Sequence, residues 1–216
     1  MAQQDRAVQT RERIVAGAAA AFYRVGYADA SIATIAETAG VTKGALYFHF
    51  NSKEEIARAV IDEQHRRVTV AAAEILQTTA SPAETMMLMC ADLAGWLVSD
   101  VVVRAGIRLT TGGAIFDPPT RAPYDDWLAT FEDLVGRAVT AGELRQSTDP
   151  ARLAHFIIPS FTGVQLLSDV LTNMGDLKMR VGELWDVLLA AYAEPARLDD
   201  LLALRFRIFG AASRAR

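Results

Sequence analysis

Between Thr42 and Lys53 the chain gathers side chains suited to holding another molecule: Thr42, Lys43, Gly44, Ala45, Tyr47, His49 and Lys53. They are a hydroxyl, two cations, a phenol and an imidazole around a tip of very small residues. That set suits recognition rather than bond making. A helix with little bulk at its tip, donors for base edges and polar flanks for phosphates is what enters a DNA major groove. Catalysis has little support. The sequence holds no Gly-x-Ser-x-Gly elbow, no glycine-rich phosphate loop and no Cys/His cluster. His49, His65 and His155 are far apart and lack metal-ligand spacing. No metal, no cofactor and no enzyme activity are expected. An enzyme would need Ser160 or Cys90 as an activated nucleophile, and neither has a recognisable base nearby in sequence.

Two short helices have to position the candidate side chains. In SIATIAETAG, Ile32, Ile35, Ala36 and Ala39 recur at helical spacing and give one inward stripe. Ser31 stands where an N-cap is wanted, and Gly40 where a left-handed C-terminal residue is wanted. Val41 fills the corner. Thr42 then caps a second helix with Leu46 inward and Lys43, Gly44, Ala45 and Tyr47 outward. A helical hairpin inside any α-protein would carry the same spacing.

The run from Gly26 to Glu55, GYADASIATIAETAGVTKGALYFHFNSKEE, resembles the DNA-binding domain of the TetR family of repressors. Within that family VTKGALYFHF is most similar to the γ-butyrolactone autoregulator receptors of actinomycetes. Helical patterning along the chain, with no convincing strand, gives an all-α chain of nine to ten helices, as the resemblance also implies. A helix-turn-helix head over 1–53 would precede a ligand-binding and dimerisation body over 54–216. It also implies a homodimer that binds a pseudo-palindromic operator and is released by a small lactone-like signal. The alternative it leaves open is a repressor of the same fold sensing a drug or metabolite that is not a lactone.

Composition agrees with such a division. The chain has 216 residues, 51% of them apolar, and a formal net charge of −4. Residues 1–53 carry six Lys/Arg and four Asp/Glu, a net of +2, which leaves −6 for the rest. A weakly basic head on an acidic body fits nucleic-acid binding by one end. No apolar run reaches the roughly 18 residues of a membrane span, and MAQQDRAVQTRER lacks the apolar part of a signal peptide. A cytoplasmic protein without a membrane partner is expected. The single cysteine, Cys90, falls in an apolar helix and reads as a small buried hydrophobe.

Further along, amphipathic patterning continues. A first helix over about Asp5 to Val25 should end at Gly26. Ser52 with Glu55 forms a capping box for a helix of over twenty residues leaving the head. AIFDPPTRAP is an irregular connection after a stop at Gly112-Gly113, and Pro159 should kink a long helix from Leu153 to about Asn173. The tail ASRAR should fray. Met86, Met87, Met89, Trp96, Phe116, Trp127 and Phe131 would line a pocket for an apolar ligand or serve as plain core. Gly163, mid-helix beside Thr162 and Gln165, points to a close approach by a ligand or another helix. The family resemblance places Trp127 as the donor to the ligand, and Gln64, Thr162 and Gln165 are the further polar candidates. It places the dimer interface on the last long helices, where Phe156, Phe161, Leu184, Leu188 and Tyr192 form the apolar seams.

Overall fold

The hairpin of short helices forms as its spacing predicts, and its capping is specific. The computed structural model describes residues 2–111, 116 and 120–210. Helix α1 is Ala2–Asp29, α2 Ile32–Ala39 and α3 Lys43–His49. Ser31 Oγ accepts from the Thr34 N–H at 3.0 Å and starts α2. Gly40 ends it at φ 63, ψ 37, a left-handed conformation that costs a glycine little. Thr42 Oγ1 accepts from the Ala45 N–H at 3.1 Å and starts α3. The inward residues Ile35, Ala36 and Leu46 are buried.

The remaining helices are α4 Lys53–Leu76, α5 Pro82–Ser99, α6 Val101–Thr111, α7 Ala122–Thr140, α8 Pro150–Thr172, α9 Leu177–Tyr192 and α10 Leu198–Phe209. A 3-10 turn, Pro195–Arg197, precedes α10. Among the described residues there is no strand, only one isolated antiparallel bridge between Leu144 and Ala193. The all-α expectation holds. The stop at Gly112-Gly113, half of the Pro-rich connection and the ASRAR tail lie outside the described residues.

The chain divides into two compact units, one of residues 1–70 with 99–120 and one of 71–98 with 121–216. In the first, α1, α2, α3, the start of α4 and α6 share a core of Ile14, Ala18, Phe22, Ile35, Leu46 and Phe50 with Ile56 and Val60. Gly17 of α1 sits against Ala39 of α2 so closely that a Cβ there would lie 2.5 Å from the Ala39 Cα. Gly26 breaks α1 at φ 82, and one further turn continues to Asp29. The capping box is a variant: Ser52 Oγ accepts from the Glu55 N–H at 3.0 Å, but Glu55 reaches back to the Asn51 N–H at 2.8 Å. Phe116, open as pocket lining or plain core, is core. It packs in this first core, edge-on to Tyr27 at 5.8 Å with the Arg58 guanidinium over its ring at 4.8 Å.

In the second unit Met86, Met87, Leu97, Phe131, Leu134, Ile157 and Trp185 are core. Glu143 is buried and accepts from the Ala83 N–H at 3.0 Å, which satisfies a donor at the start of α5. Arg205 ties α9 to α10, donating to Asp186 at 2.6 Å and to the Gly182 carbonyl at 3.0 Å. Cys90 is buried, and burial pushes its thiol up to about 12. Helix α8 runs as one helix through Pro159. By length and mean hydropathy of 1.2 it is the one single helix among the described residues that could cross a membrane, and 33% of its most apolar window is buried.

The glycine contact generates a test. Gly17→Ala must push Ala39 and α2 away from α1, because the nearest atoms are backbone. Overpacking of this kind costs about 1–3 kcal/mol. Thermal melts should show a loss of several degrees, whereas Gly95→Ala, with nothing within 4 Å of its Cβ, should be neutral or slightly stabilising.

Candidate nucleic-acid interface

The candidate side chains of α3 divide sharply by what they touch. Leu46 points into the core, and on the outer side Thr42, Lys43 and Gly44 are exposed. Ala45 and His49 are half-buried, and Tyr47 is 55% exposed. A Cβ on Gly44 would meet only Thr42 Oγ1, at 3.9 Å, so nothing inside the chain requires glycine there. The face is narrow, bare at its tip and carries one free-standing cation, Lys43. Phe48 is not among the residues that hydrogen-bonding chemistry singles out. It is 81% exposed, and its ring stands perpendicular to that of His49 at 5.1 Å. The signal was present, since Phe48 lies two residues from the inward Leu46.

Lys53 is different. Its Nζ donates to the Tyr27 carbonyl at 2.9 Å and the Ala28 carbonyl at 3.0 Å, and it stands 4.6 Å from the Tyr27 ring centre. Its charge is thus committed to the exposed C-terminal carbonyls of α1, where a cation is favoured. Burial and the nearby Glu54 raise the Tyr27 phenol above its ordinary value. Arg13 does for α2 what Lys53 does for α1, donating to Ala39 O at 3.2 Å and Gly40 O at 2.6 Å. These clamps join residues 25 to 27 apart in sequence, a distance over which helical periodicity carries no information.

Helix α6 locks onto the same unit. Arg104 donates to the Tyr23 hydroxyl at 2.6 Å and Arg108 to the Tyr23 carbonyl at 3.2 Å. From α4, Arg67 pairs with Asp100 at 2.6 Å, while Asp100 also accepts the Val102 and Val103 N–H groups that open α6. Hydrogen bonds from Arg66 and then Arg67 hold the Glu63 carboxyl down at about 2.

Of the body candidates, Gln64 belongs to the first unit and Trp127, Thr162 and Gln165 to the second. Gln64 is buried, and its Cβ and Cγ lie against Gly106 of α6, where an added Cβ would be only 2.5 Å away. Trp127 is half-buried near the start of α7, with its ring 6.0 Å from Phe131. Thr162 donates to the Ile158 carbonyl at 3.0 Å, and Gln165 is buried. Among the described residues no three His, Cys, Asp or Glu side chains come together as metal ligands.

The expected dimer seam needs correction. Phe161 is 5% and Leu188 3% exposed within one protomer, so both pack inside the second unit. Leu184 and Tyr192 are half-buried and Phe156 is exposed. The outward stripe of α8 is Phe156, Gly163, Leu167 and Val170, and Val187 stands out from α9. Spacing alone marked both faces of α8 as apolar; only packing separates the inner one from the outer.

Comparison with known proteins places this geometry. The profile described as bacterial regulatory proteins, tetR family, matches residues 14–60, and the tetracyclin repressor-like C-terminal domain matches 80–193. The A-factor receptor protein of Streptomyces griseus is 38% identical over 195 residues, 90% of this chain and 68% of that protein. A crystal structure of a gamma-butyrolactone receptor (ArpA-like protein) superposes with a TM-score of 0.78 at 31% identity, covering 94% of this chain and 97% of that one. CprB from Streptomyces coelicolor, in complex with its biological operator sequence, gives a TM-score of 0.84 at 32% identity over 96% and 100% of the two chains.

The two lysines should part in experiment. Lys43→Ala should lower affinity for a palindromic duplex by about 1–3 kcal/mol if the lysine reads a base, with melting unchanged. Lys53→Met should instead lower folding stability by about 1 kcal/mol for its hydrogen bonds, seen as a lower melting temperature, and leave the salt dependence of binding nearly as it was. Melts and salt titrations on both variants decide this; a salt slope reduced only by Lys53→Met would reverse the assignment.

Proposed function

The chain belongs to the TetR family of bacterial regulatory proteins, and from that premise we propose that it is a dimeric repressor released from a pseudo-palindromic operator by a γ-butyrolactone- or butenolide-type signal. The observation that carries the ligand class is the extent of likeness. It runs through the second unit as well as the head, over 94% of the chain, to a gamma-butyrolactone receptor. DNA reading is assigned to residues 1–53, and ligand binding and dimerisation to 54–216, in a cytoplasmic regulator without catalytic activity. Thr42, Lys43, Gly44, Ala45, Tyr47 and His49 meet the major groove. A two-fold dimer presents two such helices about 34 Å apart, one turn of DNA.

Helix α8 supplies the dimer seam. Its outward apolar stripe is what a bundle of helices from two protomers would bury, and Gly163 lies in it with nothing within 4 Å of its Cβ position. That room admits a partner helix closely. The ligand is read from the second unit, where the Trp127 indole N–H has no hydrogen-bond partner among the described residues and is available to a lactone carbonyl. Helix α4 begins in one unit and ends in the other, so a ligand that prefers one placement of it biases the heads. Release then follows from differential affinity for the two placements.

Two measurements test this function. Leu167→Glu with Val170→Glu changes only exposed positions and puts like charges across a two-fold seam; light scattering should show a monomer of intact helicity that no longer binds operator. A persistent dimer would move the interface elsewhere. Trp127→Phe should keep operator affinity and weaken release by a γ-butyrolactone by about 1 kcal/mol, the worth of one hydrogen bond. Anisotropy of a labelled duplex, titrated with lactone, reads the difference; equal sensitivity would return Trp127 to a packing role.

A further inference from the structure

Phe48 is large, apolar and 81% exposed, on a helix of seven residues whose other side is fixed by Leu46. Its position on that helix is specific. Gly44 and Phe48 each stand two residues from Leu46, and two residues turn an α-helix by about 200°. They therefore share the line diametrically opposite the buried leucine, four residues apart and stacked one above the other. Lys43 and Tyr47 flank this line on one side, and Ala45 and His49 on the other. The outermost ridge of α3 is thus a bare glycine followed by a phenyl ring.

A glycine that no internal contact demands lets the tip of the helix come closest to whatever the face meets. The ring four residues later carries no donor or acceptor, so it cannot read a base by hydrogen bonding. What it can meet in a major groove is the one apolar group displayed there, the C5-methyl of thymine. The perpendicular contact with His49 at 5.1 Å holds the ring against one side of the ridge and leaves its outer edge open. We propose that Phe48 is a specificity-determining residue that reads a thymine methyl in each half-site, from the Gly44–Phe48 ridge. This rests on the operator-binding reading above and adds an apolar element to a face otherwise polar at its flanks.

The experiment begins with duplexes selected by the full-length wild-type protein from random-sequence DNA. Each thymidine of the selected half-site is then replaced in turn by deoxyuridine, which lacks only the C5-methyl. At one position the wild-type affinity should fall about fourfold per half-site, the effect of one methyl-sized burial. Phe48→Ala should bind the thymidine duplex more weakly and be indifferent to deoxyuridine at that position, while Phe48→Leu should retain part of the preference. Helicity and melting of both variants should match wild type, since the ring is exposed. Selection of no sequence would overturn the operator reading and this one with it. A selected operator insensitive to every deoxyuridine, or equally sensitive with Phe48→Ala, would leave the operator reading standing and overturn this one. Phe48→Ala weakening selected and unrelated duplexes alike would also overturn it, by assigning the ring to the sugar-phosphate backbone.

Discussion

The close approach of α1 and α2 at Gly17 is the constraint on which the rest of the head depends. With an added Cβ only 2.5 Å from Ala39, no other residue type lets α2 sit where it does. Once α2 is seated, Gly40 turns the chain through its left-handed conformation, and Thr42 starts α3. Leu46 then has one direction in which to bury, and the opposite ridge is fixed outward. Interiors packed at this density transmit position with little slack, which is what a recognition surface requires.

Charge is used in two distinct ways around that seat. Arg13, Lys53 and the α6 pair Arg104 and Arg108 are directed at carbonyls, a phenol and the ring face of Tyr23 within the first unit. Arg13 and Lys53 hold helix ends where orphan carbonyls would otherwise rely on water. Lys43 is held by none of these contacts and stands at the tip of the exposed face. A count of basic residues in 1–53 therefore overstates the cations available to DNA, and the modest +2 of that segment matters less than the placement of one lysine. Salt-dependent affinity from phosphate contacts comes from those cations that the fold has not already engaged.

Much of the fold was legible because local rules governed it. Ser31, Gly40, Thr42 and Ser52 each announced a helix boundary through a cap, and the structure has those boundaries. The inward stripe of α2 and the all-helical class followed from periodicity. Contacts far apart in sequence were not legible: Lys53 on Tyr27, Arg13 on Gly40 and Phe116 in the core of the first unit all join segments whose spacing carries no periodic signal. Two members of the expected seams of α8 and α9, Phe161 and Leu188, fall inward for another reason. Phe161 and Leu188 are as hydrophobic as Leu167 and Val170, and composition cannot say which side faces the protomer's own core. Phe48 carries no hydrogen-bonding group to mark it as a contact residue, although its phase relative to Leu46 places it outermost.

On the proposed function, one small molecule and one DNA duplex compete for the state of this protein. Linkage requires that the coupling be reciprocal: the factor by which a lactone weakens operator binding must equal the factor by which operator weakens lactone binding. Calorimetric titration of a γ-butyrolactone into the dimer, with and without saturating selected operator, measures this directly. Lactone binding should be weaker in the presence of DNA, by the same factor seen in operator release. Equal lactone affinity with and without DNA, or no lactone binding at all, would contradict the proposed competition.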